Sequence, residues 1–296
     1  MKPYTIYALV TASTLFWGAN FVLAGPVLAD LPPLWAAALR FVLGATLMFA
    51  IARVRSEDLL APARAHAWVY VLLGTVGICA FNLMFFYAMR STSAVNAALI
   101  MATNPLLTTL LAAVLLGERP NARHLAGLPL ALFGVTVVIS SGDLHRLIGL
   151  HVDRGDLLML GANLAWAFYN VLGRRYMPKR SSIANTTLVM SAGAVLLLLV
   201  AISSGATPHV PGLKAGLALA MMTVGGTVLA YLFWNTGIAR LGAGHTALFL
   251  NLVPVFAMLI GIVIGAIPTL PQLIGGLLVI SGISLSMLPK RRLAIS

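Results

Sequence analysis

The chain has 296 residues, of which 60% are hydrophobic and 9% charged, and its mean hydropathy is +0.98. A soluble domain carries about 25% charged residues, so a water-facing globular surface is excluded. The net charge of +12 does not indicate nucleic acid, because the basic residues sit in short segments between apolar runs.

In chain order the apolar runs predict ten spans, at roughly 5–25, 33–52, 67–89, 94–116, 123–141, 156–174, 182–203, 213–238, 245–266 and 271–288. Each is close to the ~20 residues that cross a bilayer. The breaks, at Leu31-Pro32-Pro33, 53–64, Gly117-Glu118-Arg119-Pro120, 142–156, 174–181 and 208–212, carry the Gly, Pro and charge of turns. Backbone polar groups in lipid must be paired within the span, which dictates helices. The short alternating strands of a membrane barrel do not occur in the sequence. The first run extends past a typical signal core and has an internal copy, so it is expected to be an uncleaved span.

The chain can be laid over itself at a shift of 149 residues: Trp17 falls on Trp166 and Pro105 on Pro254. After a one-residue slip, Gly117, Pro120, Gly127 and Gly134 fall on Gly265, Pro268, Gly275 and Gly282. The expected division is a first repeat at 1–142, a connecting loop at 143–152 and a second repeat at 153–290. With the N-terminus inside, 14 Lys and Arg lie in inner segments and 4 in outer ones, with Arg40 in the second span. That asymmetry predicts both termini in the cytoplasm. Five spans per repeat is odd, so the second copy enters from the opposite side. The expected fold is therefore an all-α membrane protein of ten transmembrane helices in two inverted five-helix repeats, with a site at the midplane between them.

Polar residues are costly in lipid and commonly face a cavity or a neighbouring helix. The seven carboxylates, Asp30, Glu57, Asp58, Glu118, Asp143, Asp153 and Asp156, fall in loops or at span ends, which leaves no mid-membrane acid for ion coupling. No Walker A motif occurs. The six histidines show no metal spacing, and Cys79, the single cysteine, can form no intrachain disulfide. No catalytic residues, metal site or cofactor are expected. The deep polar residues are amides and aromatics. Trp17, Asn20 and Phe21 share a face of the first span, and Trp166, Tyr169 and Asn170 repeat it in the sixth. Asn82 and Phe86 in the third span align with a face of Tyr231, Trp234 and Asn235 in the eighth. Amides bond a carboxylate or an ammonium, and aromatics stack or hold a cation. These eleven residues are the expected substrate-binding set. Each also has a packing reading, since an intramembrane Asn bonds neighbouring helices for about 0.6 kcal/mol and Trp and Tyr populate interfacial belts. Arg40 has three open readings: snorkelling to an interface, contact with an anion or carboxylate, or a structural pair. Pro105 and Pro254 are aligned helix breakers, read as a fixed kink or a hinge.

The Trp17-Gly18-Ala19-Asn20-Phe21 opening, the Asn104-Pro105 span leading to Leu116-Gly117-Glu118-Arg119-Pro120, and the Gly127 to Gly134 spacing, set in a five-span duplication, resemble the EamA-type drug/metabolite transporters. The resemblance covers the whole chain. It implies a bacterial inner-membrane, multi-pass exporter of metabolites, often amino acids. It also implies a basket of ten helices around a cavity lined by spans 1, 3, 4, 6, 8 and 9. One departure is that a Gly-Glu pair common after span 9 is here Gly265-Ala266-Ile267-Pro268, so Glu118 has no counterpart. The expected function is secondary transport of small metabolites, aromatic or neutral amino acids first, by alternating access through that cavity. Export of drugs or cationic amphiphiles is the alternative, ranked lower because no buried acid is present. A membrane enzyme or scaffold lacks support in the residues. The expected partners are a small-molecule substrate and the lipid bilayer, with no nucleic acid and a monomeric chain.

Overall fold

Proline at the first helical turn and glycine just past the last set several helix ends here. Pro3 and Pro33 open α1 (Pro3–Leu28) and α2 (Pro33–Val54). In this computed structural model residues 2–88, 91, 100–118, 120, 122–140, 145, 154–207, 209–263, 265 and 267–287 are described. The third helix, α3 (60–88), joins Leu60–Gly74 and Phe81–Ala88 through a π-helical stretch, Thr75–Ala80. Next come α4 (Ile100–Leu116), closed by Gly117 at φ 66, and α5 (Ala122–Ser140). The second half holds α6 (Arg154–Tyr176) and α7 (Ser182–Ser203), the latter capped by Ser181 Oγ, which accepts from the Ala184 amide at 3.0 Å. In α8 (Leu213–Leu241) a second π-helical stretch, Met222–Leu229, interrupts the α-helix. Gly242 at φ 89 turns the chain into α9 (Ala243–Val263), and α10 (Leu270–Met287) follows.

No strand occurs among the described residues. Among the described residues five helices are long and apolar enough to cross a membrane: Pro33–Val54, Leu60–Phe85, Ser182–Ser203, Leu213–Leu241 and Ala243–Val263. A sixth is added if α1, bent by 41° between Asn20 and Val22, is one span. Pro26 accounts for that bend, because its ring excludes the carbonyl of Val22 four residues earlier. Ile100–Leu116, Leu125–Val137 and Leu270–Ser286 are shorter apolar helices. The fourth predicted span, 94–116, lies partly outside the described residues.

The helix packing repeats under a step of five. Helix α2 lies along α7, α5 along α10 and α4 against α9, each helix meeting its own counterpart. Helix α1 packs on α8 and α9, just as α6 packs on α3 and α4.

Glycines give the same relation atom by atom. A Cβ on Gly127 would strike the Gly282 carbonyl, and one on Gly134 would meet the Gly275 carbonyl at 2.7 Å. Since Gly127 aligns with Gly275 and Gly134 with Gly282, each contact is the image of the other. Likewise Gly44 faces Thr227 and Gly193 faces Ile78, and both members of one pair sit 149 residues from those of the other. Small residues at these positions let the backbones approach closely. The contacts between the two halves are thus reciprocal.

Candidate functional site

Where the halves pack together, counterpart residues meet. The Trp17 ring stands edge-on to Trp166 at 5.4 Å between centroids, and both contact Tyr231, at 6.0 and 5.6 Å. Trp234 joins Trp17 at 4.9 Å, Tyr169 stacks on Trp166 at 5.1 Å, and Phe41 and Phe81 extend the cluster. Seven of the eleven residues singled out in the sequence therefore lie in or directly beside one aromatic cluster: Trp17, Trp166, Tyr169, Tyr231 and Trp234 by ring contact, and Asn170 and Asn235 by hydrogen bonds to Trp234 and Tyr169; Asn82 follows Phe81 in α3. The side chains of Phe21 and Phe86 lie outside the described residues.

The amides divide into two kinds. Asn170 is fully buried, accepts from Trp234 Nε1 at 2.8 Å and reaches Thr108 Oγ1 at 3.5 Å. Asn235 accepts from the Tyr169 hydroxyl at 2.7 Å and donates to Thr186 Oγ1 at 3.1 Å. Those two are spent on tying α6 to α8, α8 to α7 and α6 to α4. Asn20 differs: its Oδ1 is enclosed and finds no partner among the described residues. The same holds for Trp166 Nε1, Arg40 Nε, Thr223 Oγ1 and Thr227 Oγ1. An enclosed polar atom without a partner costs about 1–3 kcal/mol, so such a group at a cavity invites a ligand.

The π-helical stretches place these atoms. Extra residues in a π turn shift the helix face and disturb the carbonyl ladder, a feature common at functional sites. Gly77 in the first stretch packs directly on the Tyr169 ring, and Gly226 in the second directly on the Asn20 amide. Gly226 aligns with Gly77 and Asn20 with Tyr169, so this contact too is crossed between halves. The Gly226 carbonyl accepts from Trp17 Nε1 at 2.9 Å. Beside it an open, largely apolar groove of about 410 Å³ runs between α1 and α8, lined by Phe16, Asn20, Leu23, Met221, Val224 and Gly226 among others.

The prolines mark helix breaks in both halves. Pro105 follows a break in α4 at Thr103, and Pro254 follows a 3-10 turn, Phe249–Asn251, in α9. Asn104 does not meet a carbonyl freed by Pro105. Its Nδ2 donates to the carbonyl and the Oδ1 of Asn163 on α6, at 2.9 and 2.7 Å, while Asn163 Nδ2 returns to the Ile100 carbonyl at 2.7 Å. Asn251, fully buried, pairs neither amide atom with a described residue. Sequence reasoning missed Asn163 and both π stretches. A signal existed for the latter: Thr75-Val76-Gly77 recurs, one residue out of the 149-residue register, as Thr223-Val224-Gly225.

Inter-half pairs close the two ends. At one, Asp30 accepts from His209 Nε2 at 3.1 Å and from the Gly212 amide at 2.7 Å. The His209 hydrogen bond, then that of Gly212, holds the Asp30 carboxyl below the usual carboxylate range. At the other, Glu118 lies 3.5 Å from Arg174 Nε, and Arg174 also donates to the Ala239 carbonyl at 2.6 Å. Among the described residues no group of three or more His, Cys, Asp or Glu side chains could hold a metal ion.

Residues 5–140 and 153–288 each match the EamA-like transporter family. The chain belongs to that family. Among relatives of this EamA-like transporter, the uncharacterized transporter YyaM of Bacillus subtilis is 37% identical over 285 residues, covering 96% of this chain and 93% of its own. A probable amino-acid metabolite efflux pump of Escherichia coli is 28% identical over 255 residues, 82% of this chain and 81% of its own. A solved crystal structure, 23% identical, covers 99% of this chain and 100% of that one with a TM-score of 0.82, and so shares the fold. The EamA-like chain is a membrane transporter, and its two family copies correspond to the two halves whose contacts cross.

Proposed function

We propose that this EamA-like transporter is a secondary exporter of small metabolites, aromatic or neutral amino acids, that works by alternating access. Ten helices span the inner membrane of a bacterium as inverted repeats, with both termini in the cytoplasm. The Lys and Arg asymmetry of 14 against 4 supports that orientation. One observation carries the reading: counterpart residues of the two halves, Trp17 and Trp166, meet in an aromatic cluster bordered by enclosed polar atoms of Asn20, Trp166 and Arg40 that find no partner among the described residues. The set of Trp17, Asn20, Phe21, Asn82, Phe86, Trp166, Tyr169, Asn170, Tyr231, Trp234 and Asn235 encloses the substrate. Within it, Asn170 and Asn235 shape the walls and Asn20 offers the free contact. Pro105 and Pro254 serve as the bends about which α4 and α9 rock.

An inverted duplication of this kind has two near-equivalent arrangements, open to opposite sides, about a fixed midplane site. The Asp30–His209 and Glu118–Arg174 pairs, at opposite ends, are suited to break in alternation. The name of the Escherichia coli relative agrees with an amino-acid cargo. Purified protein in liposomes should carry labelled phenylalanine, leucine or another common amino acid down its gradient. Absence of flux for every common amino acid, with the protein folded and inserted, would overturn the proposal.

A further inference from the structure

Arg40 is a charge in the wrong place for a purely structural role. It lies seven residues into α2, roughly 10 Å along the helix from Pro33. A snorkelling side chain would run along its own helix to the interface. This one reaches sideways instead. Arg40 Nη2 donates to Asn82 Oδ1 on α3 at 3.2 Å, and the guanidinium lies against the Phe41 ring at 4.8 Å. Asn82 is itself 2% exposed and donates to the Ile78 carbonyl at 2.7 Å, which fixes its Oδ1 toward Arg40.

A neutral amide does not balance a guanidinium. Among the described residues no carboxylate lies within ion-pair distance of Arg40. Its Nε is enclosed and unpartnered there. Enclosed cations are kept in proteins when paired, because leaving one bare is costly. The cation is also adjacent to the aromatic cluster. Phe41, the next residue, touches Tyr231 at 5.7 Å, and Phe81, next to Asn82, touches Trp166 at 5.3 Å. Trp166 adds a second enclosed donor without a partner among the described residues, its Nε1. Two orphan donors, one of them charged, thus border the same rings.

We infer that Arg40 and Trp166 Nε1 form a carboxylate-binding subsite, in which the substrate carboxylate is the missing counter-ion of Arg40 and its apolar portion lies on the Trp17, Trp166 and Tyr231 rings. Guanidinium suits this task, since its planar donors match a carboxylate and remain charged at every physiological pH. The subsite exists once per chain. At a shift of 149, Arg40 falls on Val189, which is 1% exposed and apolar. The halves are alike in shape, yet only the first supplies the anion contact. Substrates with one carboxylate fit, and cations are repelled.

This inference rests on the proposed amino-acid transport, and the test separates the two. Full-length protein in liposomes is assayed for labelled phenylalanine uptake in competition with unlabelled phenylalanine, phenylalaninamide, 3-phenylpropionate and 3-phenylpropanol. In the wild type the two carboxylates should compete at least about tenfold better than the amide and the alcohol, the effect of losing a charge-assisted hydrogen bond. Arg40→Gln should abolish that preference and Arg40→Lys should keep part of it. An amide or alcohol that competes as well as its acid in the wild type overturns the inference, as does a preference that survives Arg40→Gln. If the wild type moves no amino acid, the functional reading fails instead. Thermal stabilisation of the wild type by 3-phenylpropionate but not by 3-phenylpropanol, with Arg40→Lys as second variant, then decides the subsite alone. Equal stabilisation by both overturns it, and so does a poorly folding Arg40→Gln paired with a wild type that shows no acid preference.

Discussion

A methyl group added at Gly77 tests the crossed packing of the halves. The new Cβ would be driven into the Tyr169 ring, 2.9 Å from the Tyr169 Cβ. That ring has nowhere to go: Tyr169 is 0% exposed, stacked on Trp166 and tied through its hydroxyl to Asn235. Overpacking of this kind costs about 1–3 kcal/mol. If the ring is displaced, the Tyr169–Asn235 hydrogen bond adds about 0.5–1.5 kcal/mol. Replacing a helical glycine by alanine returns about 0.5–1 kcal/mol. The net for Gly77→Ala is a loss of about 2 kcal/mol, or a Tm lowered by about 4–8 °C at roughly 2–4 °C per kcal/mol. Gly25 is the control, since a Cβ there meets nothing within 4 Å. Gly25→Ala should raise Tm slightly. Thermal unfolding of both purified variants, followed by size-exclusion fluorescence in one detergent, makes the comparison. A Gly77→Ala protein as stable as wild type would refute the reasoning, because α3 and α6 would then not touch at this point.

Removing either Asn104 or Asn163 breaks the fully buried hydrogen bond between their amides, and each alanine variant should lose about 1 kcal/mol. The double variant should cost clearly less than the sum, as a double-mutant cycle by thermal unfolding would measure. The Asp30 carboxyl is held below its usual range, so its contribution is present above about pH 3.9 and disappears as pH falls through the lowered value. The Tm gap between wild type and Asp30→Asn should therefore be open at pH 6 and close toward pH 3. The Glu118–Arg174 pair is 32% and 39% exposed, and Glu118→Gln should cost under about 1 kcal/mol, shrinking as salt rises. Among the described residues every carboxylate lies in a loop or at a helix end, so uptake driven by a substrate gradient should be insensitive to collapsing a pH gradient. A flux that vanishes with that gradient would implicate an acid such as Glu118.

Duplication and helix content were legible because both rest on local signals. Apolar runs of spanning length report helices directly, and the 149-residue self-match of Trp17 with Trp166 reports the repeat. The aromatic faces were legible for the same reason: Tyr231 and Trp234 lie one turn apart and so share a side of α8. What no local pattern reveals is the partner. Asn170 and Asn20 are both polar residues of a first-in-repeat helix, yet Asn170 is spent on Trp234 and Asn20 is left open. That difference depends on which helix lies opposite. Arg40 was visible as a charge in an apolar run, and its direction was set only by Asn82, 42 residues away. The π stretches escaped because hydrophobic periodicity in an almost wholly apolar segment has no polar face to betray a shifted turn.

Counterflow tests the central claim most directly. Liposomes carrying the wild-type protein, loaded with unlabelled phenylalanine and diluted into a trace of labelled phenylalanine, should accumulate label transiently above equilibrium. Such an overshoot requires a site exposed to one side at a time, and excess unlabelled amino acid outside should erase it. Label that merely equilibrates, with no overshoot at any internal load, would contradict alternating access.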